Sequence, residues 1–512
     1  MISLDSIISK KNNKKSKLDK NTCSQNHKIN FKNIKDCLGI SGDIKYKEII
    51  INSNLDNVKT TLFYIDGLSS SSDISNYITK PLVNKPVFSN CKSQYEVIEQ
   101  IKLGEIYFAS YKFCDNFNKV LDEILSGSSV LIFDEENVAA IFDTQQFDKR
   151  AVTEPTVENA TKGSKDSFVE TYRTNTATIR RKIKSPNLVI EEINIGRQTN
   201  TSVGIIYMGN IVNENLLKNV RERLQKINVD QILTTSIIEE YLSENKYSTF
   251  PQIVTTERPD VFCADIIEGR VGLVVDGIPF SFIVPGTMIQ FMQAAEDYSR
   301  TIVVATLIRT LRFLALIISL FMPAVYIAIT MYHPEMIPTN LAMFIARSRE
   351  GVTFPVTVET IVMLLSFEIL FEAGLRIPKT VGQAVSILGT LVVGQAAVEA
   401  KLVSPSIVVI IAMTTISAFA MPNQDFSNSI RIWRVIFTVL SSILGLIGIV
   451  IGIIFIVYEL CKLEAFGVPY LSPFVSSDTQ NMTKDTILRV PYEKNKERPR
   501  ELKVKNKMRV GD

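Results

Sequence analysis

Three carboxylates fall where carboxylates are costly. Glu359, Glu368 and Glu372 sit in residues 357–373, a stretch that is apolar from Ile361 to Leu365. A charged side chain at membrane depth costs on the order of 2.5–3.5 kcal/mol by insertion scales, so such residues usually have a role. At about 100° per residue, Glu368 and Glu372 share a helical face with Thr357 and Ile361. Glu359 lies roughly opposite, aligned with Met363, Ser366 and Leu370. Thr357, Ser366 and the three glutamates are therefore the candidate polar lining of an ion path. In a cyclic oligomer, one inward carboxylate repeats as a ring that favours cations. Ion pairing is the competing reading. Glu372 stands four residues before Arg376, and Glu359 is near Arg347 and Arg349 in sequence.

Other chemistry has little to work with. The only histidines are His27 and His333, so neither a Ser-His-Asp triad nor a histidine metal site is expected. The six cysteines form no C-x-x-C pair and suit reduced thiols in a cytosol-facing protein. Walker A, G-x-S-x-G, kinase and H-E-x-x-H motifs are all missing. The sequence therefore predicts no catalytic residue, cofactor or metal, and nucleic-acid binding has no support. Arg180-Arg181-Lys182 is a charged run that suits a solvated face better than a phosphate site.

The elements that must position the carboxylates come from a sharp split in composition. Residues 301–460 carry 17 charges in 160 positions; the other 352 carry 92, about 11% against about 26%. The fold class expected is a multi-domain membrane protein. An α/β soluble N-terminal domain of two subdomains precedes an all-α transmembrane bundle and a basic cytoplasmic tail. The expected division is a mobile basic arm (1–28), subdomain 1 (29–152), subdomain 2 (153–300), a helical domain (301–459) and the tail (460–512). Hydrophobic segments fall near 313–332, 357–373, 381–398, 402–424 and 435–458. Twenty residues of helix rise about 30 Å, the thickness of the hydrocarbon core.

Orientation follows from charge. Arg300, Arg309 and Arg312 precede the first segment, and the loop from Met331 to Leu341 has no Lys or Arg, which puts the N-terminal domain in the cytoplasm. The tail, with eleven Lys/Arg against seven Asp/Glu, also reads as cytoplasmic. Five segments must then give an even number of crossings. Four spans with one re-entrant element are expected; six require Leu341–Ala346 to join a crossing.

In the soluble part, Val130–Phe133 and Val138–Phe142 read as a hairpin, and Thr60–Ile65 as a strand. Leu188–Ile195 and Ser202–Met208 are further strands. Asn213 is an N-cap for a helix with Leu216, Leu217, Val220, Leu224 and Ile227 on one face. Asp276-Gly277 is a hairpin turn between Val271–Val275 and Ile278–Val284. No internal repeat is visible.

This order of motifs resembles the A subunit of GerA-type spore germination receptors over about residues 150–470. The residues that carry it include Glu154-Pro155, Gly163, Phe168, Glu170, Asn175 and Arg180-Arg181. Next come Thr256-Glu257-Arg258-Pro259-Asp260, Glu268-Gly269-Arg270, Asp276-Gly277 and Glu296-Asp297-Tyr298. The apolar block adds Arg349-Glu350-Gly351, Pro355, Glu359, Phe367-Glu368, Glu372-Ala373-Gly374, Arg376, Gly382-Gln383-Ala384 and Gly394-Gln395-Ala396. Of these, Glu257, Arg258, Pro259, Asp260, Asp276, Gly277, Arg349, Glu350 and Arg376 are structural or coupling candidates. The resemblance implies a multi-pass receptor subunit in the inner membrane of a bacterial spore. Its implied partners are a permease-like B subunit, a lipoprotein C subunit, further copies of itself and membrane lipid. Nutrients acting on the complex would open an oligomeric cation path. A transporter for a small solute is the alternative, but it lacks the internal repeat such proteins often show.

Overall fold

The computed structural model describes residues 27–39, 41–51, 57–146, 155, 158, 162–376, 394–475 and 485–509. Nearly all of the basic arm, most of the segment 381–398 and the side chain of Arg376 lie outside the described residues.

Two α/β units share one topology. In the first, helix α1 (Phe31–Leu38) leads into hairpin β1–β2 (Ile44–Ile51, Val58–Ile65). Edge strand β3 (Tyr111–Cys114) and helix α2 (Phe117–Ser126) precede a second hairpin, β4–β5 (Ser129–Phe133, Val138–Phe142). The second unit repeats this with α3 (Tyr172–Lys182), β6–β7 (Leu188–Ile195, Thr201–Met208), α4 (Glu214–Gln225), β8 (Val254–Thr256), α5 (Pro259–Glu268) and β9–β10 (Val271–Val275, Ser281–Val284). The sheet orders are β1-β2-β4-β5-β3 and β6-β7-β9-β10-β8, and all pairings are antiparallel. The repeat invisible in sequence is thus present in the fold. Its clearest sequence trace is the glycine that closes α2 and α5. Gly127 (φ +99°) and Gly269 (φ +106°) hold left-handed C-caps, a conformation costly for any residue with a Cβ.

Both faces of the first sheet are covered. Leu131 and Phe133 enter one core and Val130 and Ile132 the other, which is why the strand is continuously apolar. The two units are joined by Arg180, which is fully buried. Its Nε and Nη2 donate to the two Asp43 carboxylate oxygens at 2.9 Å, Nη2 also reaches Ser41 Oγ at 2.8 Å, and Nη1 reaches Leu188 O at 3.1 Å. This corrects the reading of a solvated run at position 180, while Arg181 and Lys182 stay partly exposed. At helical spacing, position 180 falls on the inner face beside Ile179 and Thr176.

The helical part contains α6 (Ile302–Ile327), α7 (Thr339–Ser348), α8 (Val356–Arg376), α9 (Pro405–Phe419), α10 (Gln424–Leu444) and α11 (Leu446–Lys462). Among the described residues, one helical stretch, Ile302–Tyr332, is long and apolar enough by itself to cross a membrane, with mean hydropathy 2.3 over its best window. It starts earlier than residue 313 because Arg309 and Arg312 are helical and point back into the soluble domain.

The expected single span at 435–458 is instead a hairpin. Gly445 (φ +59°, ψ −135°) breaks the helix, and α11 folds back along α10. Gly448 lies against the Leu440 carbonyl and Gly452 against the Phe437 ring. The small residues in this segment thus serve close packing of two antiparallel helices within one chain. Tyr332 closes the tip, its hydroxyl donating to Ser442 O at 2.6 Å.

The C-terminal residues are not a separate tail. Tyr470 O accepts from Met288 N and Lys505 N donates to Ile211 O, both at 2.9 Å, while Arg498 Nε reaches Ile267 O at 3.0 Å. Tyr470, Leu502 and Val504 are buried in the core of the second unit. A net charge count hides these few apolar anchors.

Candidate functional site: buried charges of the helical bundle

The bundle has two ends, fixed by contacts. At the near end, α6 leaves the soluble domain after Asp297, and Thr249 of the second unit gathers both arms of the α10–α11 hairpin. Trp433 Nε1 donates to Thr249 Oγ1 at 3.0 Å; Thr249 Oγ1 donates to Glu459 Oε1 at 3.0 Å; the Ser429 hydroxyl donates to Thr249 O. Phe250, Phe291, Phe426, Trp433 and Tyr470 form an aromatic layer there. At the far end, Tyr326 and Ile327 of α6 pack with Val356, Val403 and Ile407.

Glu359 belongs to the far end and is 1% exposed. Its Oε2 accepts from Ser404 N at 2.8 Å and its Oε1 from Arg349 Nη2 at 3.1 Å. Ser404 is the N-cap residue of α9, so the carboxylate occupies an orphan donor at the positive end of that helix. Sequence reasoning paired Glu359 with an arginine; it missed the cap, because Ser404 is 45 residues away.

Glu368 faces α10. Its Oε2 accepts from Arg431 Nε at 3.0 Å and Nη2 at 2.6 Å, and its Oε1 from Arg434 Nη2 at 2.6 Å. Arg431 also lies over the Phe371 ring, 4.3 Å from its centroid. Glu372, one turn on, is exposed. Thr357 Oγ1 lies 3.1 Å from Met331 Sδ, and Ser366 Oγ donates to Val362 O within its own helix at 2.8 Å. The five candidate lining residues therefore do not converge on one spot within one chain. Glu359 and Glu368 each cross-link helices, and Glu372 faces outward.

The motif at 257–260 is a clamp. Arg258 is buried and holds Asp260 through Nε (3.1 Å) and Nη2 (2.7 Å), while Nη2 and Nη1 reach Ser164 O and Glu158 O. Pro259 opens α5, and Glu257 O accepts from Phe168 N at 2.8 Å. Burial pushes the Glu158 carboxyl up to about 7, against the pull of Thr256 and Arg258. Asp276 Oδ1 accepts from Tyr172 N at 3.1 Å, and Gly277 takes φ +83° in the turn. Glu350 is exposed in the turn after α7, beside Gly351 (φ +85°).

Sequence reasoning missed the node where soluble domain, α6 and C-terminal segment meet. Asp297 is 1% exposed. It accepts from Arg309 Nε at 3.0 Å and from Arg312 Nη1 at 3.0 Å, and Arg309 Nη1 continues to Asp485 Oδ1 at 2.9 Å. Burial opposes ionisation of Asp297, but Arg312 and Arg309 outweigh it and hold the carboxyl below its usual range. The signal available was the motif Glu296-Asp297-Tyr298 followed by arginines at helical spacing.

The family model for the Bacillus/Clostridium GerA spore germination protein matches residues 32–501. The chain belongs to that family. It is 40% identical over 475 residues to Spore germination protein KA of Bacillus subtilis (strain 168), covering 93% of this chain and 86% of that one. It is 32% identical over 471 residues to Spore germination protein B1 of the same organism, covering 92% and 96%. Among solved structures, the N-terminal domain of the A subunit of the Bacillus megaterium spore germinant receptor GerK3 matches with 31% identity and a TM-score of 0.41, covering 52% of this chain and 99% of that one. The family read from the motifs is thus shown: the chain is a GerA-type spore germination protein.

Proposed function

We propose that this GerA family member crosses the inner spore membrane an even number of times, assembles with further copies of itself, and opens a cation path in response to nutrient sensed by the receptor complex. The observation that carries the reading is helix α8, an otherwise apolar helix that carries three carboxylates, Glu359, Glu368 and Glu372, the last of them exposed on its outer side. A ring of such outward carboxylates from several copies favours cations.

The bundle's threading supports the crossings. Helix α6 leaves the near end; α8 and α9 both return to it; α10 leaves and α11 returns. Exposed apolar residues such as Leu314, Ile369, Ile416, Ile443 and Ile454 form an outward belt that suits lipid. The C-terminal residues lie against the N-terminal units, as an even count requires. A permease-like B subunit and a lipoprotein C subunit are the partners. Any nutrient-driven opening must come from different affinities for the closed and open states.

The test is planar-bilayer conductance of the reconstituted receptor with and without nutrient. Cation current that falls in Glu372→Gln, at normal protein levels, is the expected result. Substrate uptake without conductance would replace the channel by a transporter. Normal germination in alanine variants of Glu359, Glu368 and Glu372 alike would sink the ion path.

A further inference from the structure

The near end of the bundle holds a narrow open cleft between α8, α9 and α10. Its charged lining is unbalanced: Arg431 and Arg434 face the single carboxylate of Glu368. The two guanidiniums differ in how they are satisfied. Arg431 spends its donors on Glu368 and on Asn428 Oδ1 at 2.8 Å. Arg434 uses only Nη2, on Glu368. Its Nε and Nη1 are buried and have no hydrogen-bond partner among the described residues, although its side chain is only 3% exposed. Buried guanidinium nitrogens of this kind demand acceptors.

We propose that the cleft binds an oxyanion, with one or more of its oxygens accepting from Arg434 Nε and Nη1. Charge, donor supply and shape agree on this class. A cation is repelled by the surplus guanidinium. A neutral amide offers one acceptor and leaves the charge uncompensated. Guanidinium and oxyanion match in both charge and geometry. The rest of the wall is apolar, with Phe367, Phe371 and Phe419 along it, and Phe419 is 60% exposed where the cleft opens. This suits an oxyanion carried on an apolar body. A basic pocket between helices at the cytoplasmic end of a bundle fits the phosphate of an anionic phospholipid. A free inorganic oxyanion offers the same acceptors. The lipid source rests on the membrane reading above; the oxyanion site itself does not.

The test uses the full chain in detergent and follows thermal unfolding. Phosphatidylglycerol, phosphatidylcholine or inorganic phosphate is titrated in separate arms at matched ionic strength. The wild type is expected to be stabilised by phosphatidylglycerol and not by phosphatidylcholine. Arg434→Gln should weaken the apparent affinity by about tenfold or more, the loss of a charge-assisted bond. If Arg434→Gln fails to fold, Gln424→Glu carries the test. Gln424 lines the cleft and is exposed, so the isosteric carboxylate adds only a negative charge and should weaken binding several-fold. Stabilisation by phosphate as well as by phosphatidylglycerol, lost in the variants, supports the site with a free anion as a ligand. Phosphatidylglycerol alone assigns it to the lipid. The proposal is overturned if neither ligand stabilises the wild type, or if the folded variants respond as the wild type does. Loss of conductance in the receptor leaves the phosphate arm untouched, so the two readings fail separately.

Discussion

Arg309, in the first long helix, and Asp485, in the C-terminal segment, are 176 residues apart in sequence and joined by a 2.9 Å ion pair. Asp297 completes the node from the soluble domain, holding Arg309 and Arg312 together. Movement of the helix therefore pulls on both the N-terminal and C-terminal parts of the chain. Asp297→Asn strips the shared counter-charge from two buried arginines and should cost about 3–5 kcal/mol. Asp485→Asn acts at a partly exposed carboxylate and should cost about 1 kcal/mol or less. It should also speed proteolysis of the C-terminal segment. Thermal unfolding and limited trypsin digestion of the two variants check the order; equal effects would remove Asp297 from the centre of the node.

Glu359 does two jobs, pairing with Arg349 and capping α9. Glu359→Ala removes both and should destabilise the protein by about 2–4 kcal/mol. Glu359→Gln keeps a carbonyl oxygen for Ser404 N and should lose roughly half as much. A double-mutant cycle with Arg349→Met separates the pair from the cap. Full additivity in that cycle would show that the arginine contributes nothing through Glu359.

Local signals in the sequence were read well and distant ones poorly. The hairpins at Val130–Phe142 and Val271–Val284, and the helix capped by Asn213, depend on turn residues and periodicity a few positions apart, and the fold contains them. The strand after Gly277 starts later, at Ser281, since Pro279 has no N–H for a ladder. Glu359 as a helix cap, Arg180 as a bolt between units and Asp297 as a node all join residues that only the fold brings together. The hairpin at Gly445 was missed for a different reason. An uncharged run of 24 residues satisfies the length rule for a span, and nothing in hydropathy records a backbone reversal. What marks it is the glycine spacing at Gly445, Gly448 and Gly452.

That hairpin gives a prediction of opposite sign at two helical glycines. A Cβ on Gly448 would collide with the Leu440 carbonyl oxygen, whereas on Gly374 it would meet nothing within 4 Å among the described residues. Gly374→Ala should be neutral or stabilising by about 0.5–1 kcal/mol through helix propensity. Gly448→Ala forces backbones apart and should destabilise by about 1–3 kcal/mol. Thermal unfolding of both variants in detergent reads this directly. A Gly448→Ala protein as stable as the wild type would contradict the close approach of α10 and α11.

Stability should also carry a pH signature from the junction of soluble domain and bundle. Burial, then the negative charge of Asp425, pushes the Glu239 carboxyl up to about 7. In the unfolded chain it titrates near the usual 4.3. A carboxyl raised in the folded state binds its proton more tightly there, so unfolding becomes harder as pH falls from about 7 to about 4.5. Above pH 7 the folded state bears the full cost of the buried charge. Glu239→Gln removes the titration. It should raise the melting temperature at pH 8 and flatten this part of the pH dependence. Glu158, raised to about 7 by burial, gives the same sign, so the informative quantity is the difference between wild type and Glu239→Gln across pH 5–8. A difference that does not change with pH would rule out Glu239 as the titrating group.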